Sequence, residues 1–177
     1  MGVVARTRAA PAKLNLALVV GPTRPDGKHE VVTLLQRIEL ADEVSLRPAG
    51  TISVEGFSQD TIVRAALEEV QRRTGGVFAA HLRKEIPVAA GVGGGSSDAA
   101  TALLLANELL GEPLTPDELR EIAARLGSDV PFFLVDGPQL GRGDGSQLVP
   151  QGLPQEFTVL LALPHGARKT STAAVYG

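Results

Sequence analysis

The chain has 177 residues, of which 44% are hydrophobic and 21% charged, and its formal net charge is −3 at pH 7. This composition indicates one globular domain with its own core, and it disfavours a nucleic-acid binder that relies on bulk charge. The absence of cysteine excludes disulfides and thiolate catalysis, and three scattered histidines disfavour a structural metal site. No signal-peptide pattern is visible, and no apolar run reaches the roughly 18 residues of a membrane span, so we expect a cytoplasmic protein.

The first half of the chain is predicted to contain several strands and one helix. Apolar residues alternate over 14–20, which predicts a half-buried strand with Lys13 and Asn15 on the face opposite the leucines. Helical spacing predicts a helix over 62–73 that the following glycines end. Further strands or extended edges are predicted over 31–40, 43–47, 51–54 and 77–82.

The second half is predicted to contain two helices and a late strand. A helix is predicted over 97–110, and a second begins at Thr115, where Glu118 completes a capping box and Gly127 ends the helix. The segment 157–163 is predicted to be a buried strand. Strands and helices do not alternate strictly, so a layered α+β domain fits at least as well as a doubly wound parallel sheet.

A glycine-rich run precedes the helix predicted to begin at Ser97. Four of the five residues over 91–95 are glycine, and Ser96, Ser97 and an aspartate follow. Glycines let backbone N–H groups approach phosphate oxygens, and the helix N-terminus adds the positive end of its dipole. The serine hydroxyls could bind phosphate or Mg²⁺. The run therefore predicts an anion-binding loop, with a flexible turn capped by Ser97 as the alternative.

Two other phosphate-binding motifs do not match this run. A P-loop ends in Gly-Lys-Ser/Thr, but no lysine lies between Lys84 and Lys169. The dinucleotide fingerprint requires a third glycine where Ser96 stands, which leaves a nicotinamide-binding fold as a weaker alternative.

Two charged residues outside the run are candidates for catalysis. Asp129 follows a helix-ending glycine, where its carboxylate could accept the proton of a substrate hydroxyl, although a turn aspartate is the commoner outcome. Lys13 stands in an apolar strand and needs an anion such as Asp129 or a phosphate, unless it lies on an edge strand with its ammonium in water. Asn15 shares the face of Lys13 and could contact a substrate or only local backbone.

The run Pro87–Ala100 closely resembles the ATP-binding loop of the GHMP kinases. Four other segments occur in the order seen in those GHMP kinases that phosphorylate a methylerythritol linked to cytidine diphosphate. These segments are 11–16, 26–29, 126–133 and 171–176. The resemblance therefore covers essentially the whole chain.

The resemblance implies an α+β fold, that of the GHMP kinase N-terminal domain, which is like the second domain of ribosomal protein S5. It implies an ATP-dependent kinase with Mg²⁺ that transfers phosphate to the 2-hydroxyl of cytidine diphosphate-linked methylerythritol, in the non-mevalonate route to isoprenoid precursors. We expect residues 1–164 to form the ATP-binding domain and 165–177 to begin the connection to a C-terminal domain outside these residues. Neither nucleic acid nor membrane is an expected partner.

The resemblance also implies roles for individual residues. Asp129 falls on the family's catalytic aspartate, and Lys13 falls on the lysine that pairs with it. Asn15 falls on a substrate contact, and His29 and Tyr176 fall at the cytidine end, although both could be ordinary surface residues. The positions that correspond to the ATP loop are Pro87, Ala89, Ala90, Gly91, Gly93, Gly94, Gly95, Ser96 and Ser97.

Two further interpretations remain open from the sequence. Lys28 stands where the family usually has tyrosine, which keeps open a GHMP kinase that acts on a different small alcohol. The second glycine-rich domain of the family has no counterpart in this sequence, so a nucleotide-binding fragment without turnover is the other alternative.

Overall fold

The computed structural model of the protein describes residues 5–25, 27, 29–60 and 62–162. Within them, six strands form one sheet with the order β3-β4-β2-β5-β6, and β1 pairs with β2. Their bounds are β1 Arg6–Thr23, β2 His29–Pro48, β3 Ser53–Glu55, β4 Phe78–Arg83, β5 Gln139–Arg142 and β6 Gln147–Pro150. Only the β3–β4 pair is parallel among these described strands, so the sheet is essentially antiparallel.

Three α-helices and one 3₁₀ helix accompany the sheet. Their bounds are α1 Ile62–Thr74, α2 Gly94–Leu109, α3 Pro116–Leu126 and the 3₁₀ helix Pro131–Leu134. Helix α2 lies at the centre of the core, where it contacts β1, β2, α1 and α3. The layered α+β expectation is therefore confirmed, and the doubly wound parallel sheet is wrong. None of the helices in the described ranges is long and apolar enough to cross a membrane.

Helix α3 follows the local sequence signals closely. Thr115 Oγ1 accepts a hydrogen bond from the Glu118 backbone N–H at 3.3 Å, and the Glu118 carboxylate accepts one from Thr115 N–H at 2.8 Å. These two bonds form the predicted capping box, and they satisfy N–H groups that helix geometry leaves without partners. The helix ends before Gly127, and α1 also agrees with its predicted range.

Three predicted element boundaries are wrong. The segments 31–40 and 43–47 belong to the single strand β2, which pairs with β1 along nearly its whole length. Helix α2 begins at Gly94, three residues before Ser97, and Gly93 occupies its N-cap position with φ +76°. Residues 157–162 lie in no strand, because this apolar segment pairs with no described strand.

The predicted alternation of β1 is also wrong, because the pairing with β2 is interrupted at Leu16. Asn15 lies opposite Leu35 and Ala17 lies opposite Leu34, so Leu16 is an extra residue on the β1 side. One extra residue places every later side chain of β1 on the face opposite to the one that simple alternation predicts. Leu18 therefore shares a face with Asn15, contrary to the prediction that the polar residues face away from the leucines. Burial of β1 ends near this point, because Ala10 and Ala12 are 0% and Lys13 is 6% exposed, whereas Leu16 is 43% exposed.

Candidate active site

The glycine-rich segment between β4 and α2 lines a cleft of ≈290 Å³. Phe57, Ile62 and Lys84 line the rest of it, so the cleft has both apolar walls and a cationic group. Of the predicted ATP-loop positions, eight line this cleft: Pro87, Ala89, Ala90, Gly91, Gly93, Gly94, Gly95 and Ser96. Ser97 is fully buried in the first turn of α2, and its hydroxyl has no hydrogen-bond partner among the described residues.

The loop reaches α2 through a series of left-handed residues. Ala89, Gly91 and Gly93 have φ values of +61°, +79° and +76°. Ala89 adopts this conformation despite its Cβ, and such strained residues persist where the surrounding structure holds them. The first N–H groups of α2 follow directly, without partners inside the helix. The backbone donors and the positive end of the helix dipole make this edge of the cleft suitable for an anion.

Two side chains approach Gly93 so closely that a residue with a Cβ would collide with them. A Cβ at this position would lie 2.9 Å from Lys13 Cγ and 3.1 Å from Phe133 Cζ. The loop is also tied to β1 by its backbone, because Lys13 N–H donates to the Val92 carbonyl at 2.8 Å. The loop, the lysine and the 3₁₀ helix are therefore in direct contact.

Lys13 and Asp129 form an ion pair beside the loop. Lys13 Nζ lies 3.4 Å from Asp129 Oδ2, and the lysine side chain is 7% exposed whereas that of the aspartate is 41% exposed. Lys13 Nζ also donates to Asn15 Oδ1 at 2.8 Å, and Asn15 Nδ2 donates to Thr33 Oγ1 at 2.6 Å. The ammonium has three N–H donors, and its described partners Asn15 and Asp129 take two of them. Because only the aspartate is exposed, the pair presents an accessible carboxylate beside a buried cation.

Asp129 owes its position to the apolar segment that follows it. The Val130 N–H donates to the Gly127 carbonyl at 3.2 Å, which closes a turn around Asp129. Val130, Phe132 and Phe133 are buried in the core. The buried residues anchor the turn, so the aspartate is left at the surface of the site.

A second ionic cluster, which the sequence did not reveal, lies on the other side of the loop. Lys84 Nζ donates to a carboxylate oxygen of Asp42 and to Asp98 Oδ2, the latter at 2.5 Å. The other oxygen of Asp42 accepts from the backbone N–H groups of Glu85 at 2.6 Å and Ile86 at 2.8 Å. The cluster therefore joins β2, the end of β4 and the N-terminal part of α2 beside the cleft.

The protonation equilibria of this cluster are shifted. Burial raises the pKa of Asp98 to about 7, and the nearby Asp42 adds to this shift, whereas Lys84 opposes it. Burial alone would lower the pKa of Lys84, but its two carboxylate partners outweigh burial and raise it. One ammonium serves two buried carboxylates, so Asp98 retains a proton more readily than an ordinary aspartate.

The structure does not bring His29 together with Lys13 and Asp129. His29 begins β2 opposite Thr23, and its Nδ1 donates to the Gly21 carbonyl at 3.2 Å. Lys13 pairs with Arg37 in the strand register. Arg37 lies eight residues after His29 in β2, which corresponds to roughly 26 Å along the strand. Tyr176 and Lys28 lie outside the described residues.

The chemistry of the cleft is compatible with a phosphate-bound magnesium ion. The described residues contain no group of three or more metal-binding His, Asp or Glu side chains. Mg²⁺ at nucleotide sites keeps several waters and takes its remaining ligands from phosphates and a few protein oxygens. Ser96, which lines the cleft, offers such an oxygen.

Comparison with known proteins gives consistent matches. A family model described as GHMP kinases N terminal domain matches residues 61–137. A relative from Pelotomaculum thermopropionicum, named 4-diphosphocytidyl-2-C-methyl-D-erythritol kinase, is 46% identical in an alignment of 188 positions, gaps included, that covers 96% of this chain and 62% of that protein. A relative with the same name from Streptomyces coelicolor is 40% identical in an alignment of 182 positions that covers 96% of this chain and 60% of that protein. The chain thus spans about three fifths of the length of these curated relatives.

The solved structures agree with these matches. A crystal structure of 4-(cytidine 5'-diphospho)-2C-methyl-D-erythritol kinase has a TM-score of 0.75 at 38% identity, covering 84% of this chain and 56% of that one. The mevalonate kinase of Methanococcus jannaschii has a TM-score of 0.64 at 12% identity, covering 84% of this chain and 56% of that one, which shows a shared fold alone. The family-model match over residues 61–137, the similarity to these relatives and the structural agreement together show that the chain has the fold of the GHMP kinase N-terminal domain.

Proposed function

We propose that this protein is an ATP-dependent kinase that phosphorylates the 2-hydroxyl of 4-diphosphocytidyl-2-C-methyl-D-erythritol, the compound in the names of its relatives, and so serves the synthesis of isoprenoid precursors. The observation that carries the proposal is the ion pair of Lys13 and Asp129, whose atoms Nζ and Oδ2 are 3.4 Å apart next to the glycine loop. A proton acceptor, a cation and a phosphate-binding backbone are the parts that phosphoryl transfer requires.

Each part of the site has a distinct task in this reaction. The N–H groups at the start of α2 bind the phosphates of ATP, and the loop positions that line the cleft enclose them. Mg²⁺ neutralises phosphate charge when bound, with the Ser96 hydroxyl as its protein ligand. Lys13 orients Asp129 and stabilises the negative charge that develops on the transferred group.

Asp129 acts as the proton acceptor. The substrate oxygen forms a bond to the γ-phosphorus while the bond from that phosphorus to the leaving oxygen of ADP breaks. The hydroxyl proton passes to the Asp129 carboxylate, whose exposed side chain allows a substrate to reach it. Positioning and charge stabilisation, rather than covalent catalysis, supply the rate enhancement.

The cytidine end of the substrate is assigned to His29 and Tyr176. His29 lies towards the opposite end of the β1–β2 pair from Lys13, so it is assigned to the base of the substrate rather than to its reacting hydroxyl. Asn15, held by Lys13 and Thr33, is assigned to the reacting end. We assign residues 1–164 to the ATP-binding domain and 165–177 to the start of a connection to a further domain, in a cytoplasmic protein.

The test is a coupled assay of the protein with ATP, Mg²⁺ and this substrate. Asp129→Ala is expected to lower kcat by about 10²- to 10⁴-fold, because it removes the proton acceptor. Asp117→Ala is the matched control, since Asp117 is an exposed aspartate in the first turn of α3. Full activity of Asp129→Ala would contradict the assigned role.

Two alternative functions have distinct signatures in the same experiments. The second candidate is nucleotide binding without turnover, since the glycine loop that lines the cleft could hold ATP phosphates without any transfer. Calorimetry that detects ATP binding without any turnover would support that candidate. Turnover of mevalonate or homoserine in preference to the cytidine compound would instead identify a GHMP kinase for another alcohol.

A further inference from the structure

Arg37 lies directly beside the Lys13–Asp129 pair. In the register of β1 and β2, Lys13 is opposite Arg37. Side chains of directly paired antiparallel residues lie on the same face of the sheet. Two cations on neighbouring strands therefore face the segment that contains Asp129 and the 3₁₀ helix.

The guanidinium of Arg37 forms several hydrogen bonds with the C-terminal end of that segment. Its Nη2 donates to the carbonyl of Phe133 at 2.8 Å and to the carbonyl of Val135, with a longer bond of 3.4 Å to the carbonyl of Phe132. Its Nη1 donates to Asp136 Oδ1 at 2.7 Å. Carbonyls at the end of a helix lack partners within it, and a guanidinium is well shaped to bond several of them at once.

The same side chain also packs against the rings of the 3₁₀ helix. The Arg37 Cζ atom lies 5.8 Å from the centroid of Phe132 and 5.9 Å from that of Phe133. The two rings contact each other edge to face, with centroids 5.0 Å apart. The edge of Phe133 in turn approaches Gly93 of the loop, where an added Cβ would lie 3.1 Å from Phe133 Cζ. Arg37 is thus linked through Phe133 to the phosphate-binding loop.

Lys13 and Arg37 hold opposite ends of one short segment. Lys13 pairs with Asp129 at its start, while Arg37 bonds Val135 and Asp136 at its end. The Lys13–Asp129 separation of 3.4 Å exceeds the 2.7–2.9 Å usual for a charge-assisted hydrogen bond, so this ion pair alone is a loose restraint. The placement of the Asp129 carboxylate therefore depends on how firmly the other end of the segment is fixed.

We propose that Arg37 is a positioning residue for phosphoryl transfer, which fixes the segment 129–136 so that Asp129 stays in register with Lys13 and the glycine loop. This inference rests on the proposed function of Asp129. Arg37 touches neither substrate nor phosphate in this scheme; it acts through the backbone and aromatic rings that follow Asp129.

Steady-state kinetics of Arg37→Met provides the first test. We expect kcat to fall by about 10²-fold, the effect of a misplacement of about 1 Å, with KM for ATP nearly unchanged. Arg37→Lys keeps the charge but not the planar fork, so an intermediate kcat is expected, and this variant carries the test if the first does not fold. Arg120→Met is the control, because Arg120 is an exposed arginine whose described ion pair joins it to Asp117 within α3. Unchanged kcat in both Arg37 variants would overturn the proposal.

A double-mutant cycle separates positioning from general stability. If Arg37 acts through Asp129, adding Arg37→Met to Asp129→Asn should lower kcat little further, by less than about 3-fold. An equal fold-loss in both backgrounds would overturn the proposal while leaving the role of Asp129 intact. Full activity of Asp129→Asn alone would instead overturn the proposed role of Asp129, and this inference with it.

Hydrogen exchange gives a readout that does not depend on turnover. The amides of Val130 and Phe133 are bonded within the segment, to the carbonyls of Gly127 and Val130. In Arg37→Met they should exchange at least about 10-fold faster, while the amides of α1 keep their rates. Unchanged exchange at these two amides would show that Arg37 does not hold the segment, and it would overturn the proposal.

Discussion

Two lysines flank the glycine loop, and their surroundings differ in a consistent way. Lys84 contacts two aspartates whose side chains are 0% and 2% exposed. Lys13 contacts one aspartate, Asp129, whose side chain is 41% exposed. Both ammonium groups are largely buried, but only the partner of Lys13 is open to solvent and to a ligand.

The difference separates a buried ion cluster from an ion pair that a ligand can reach. Asp42 is saturated by backbone donors and by Lys84, and it joins three elements beside the cleft. The carboxylate of Asp129 retains open acceptor positions, which is what a proton acceptor requires. A buried cation whose partners are also buried holds the loop in place, whereas a buried cation beside an exposed carboxylate leaves that carboxylate open to a ligand.

The largest expected effect is a difference in stability between two equivalent substitutions. Lys84→Met leaves two buried carboxylates without their cation, and it should lower the free energy of unfolding by about 3–5 kcal/mol. Lys13→Met leaves only the exposed Asp129 unpaired, and it should cost less than about 1 kcal/mol. Urea denaturation of both variants measures the two values. Equal losses would remove the distinction between the two lysines.

The next effect, on the order of a few kcal/mol, is a pH dependence that belongs to the Lys84 side alone. The pKa of Asp98 is raised from 3.8 to about 7 in the folded protein. Between these values the native state holds a proton that the unfolded state has lost, so stability falls as pH rises from about 4 to 7. Asp98→Asn should flatten this part of the profile of unfolding free energy against pH. A variant profile parallel to that of the wild type would contradict the assignment.

The smallest effect compares two glycines that share a backbone conformation. Gly91 and Gly93 both have positive φ, but a Cβ on Gly91 would meet nothing within 4 Å, whereas one on Gly93 would collide with Lys13 and Phe133. Gly93→Ala should therefore destabilise the protein by about 1–3 kcal/mol more than Gly91→Ala does. Thermal unfolding of the two variants gives the difference. A result in which Gly91→Ala is the more damaging would show that the loop does not pack on Lys13 as described.

Local features of the fold could be predicted from the sequence, and long-range ones could not. The capping box of α3 depends on residues three apart, and it was predicted correctly. The cluster around Lys84 joins Asp42 and Asp98, which lie 42 and 14 residues away, and no local pattern reveals such partners. The contacts of Arg37 with the segment after Asp129 span 95 to 99 residues and were missed for the same reason.

Part of the candidate site could also be predicted from the sequence. Most of the predicted ATP-loop positions line the cleft. They could be predicted because a glycine run directly before a helix is a local sequence pattern typical of phosphate-binding loops. The proximity of Lys13 and Asp129 was expected from the family resemblance, and their catalytic roles stay predictions. Ser97 was placed at the helix cap because composition alone cannot reveal that the helix begins earlier, inside the glycine run.

The extra residue at Leu16 lets β1 present residues of odd and even number on one face of the sheet. Upstream of it, Lys13 and Asn15 have faces set by one phase of the strand; downstream, Leu18 follows the opposite phase and joins them. Deletion of Leu16 would remove the unpaired residue and leave Leu18 opposite Thr33, so every remaining side chain would keep its face of the sheet. Loss of this residue should therefore be tolerated, since a leucine that is 43% exposed contributes little to the packing of the core.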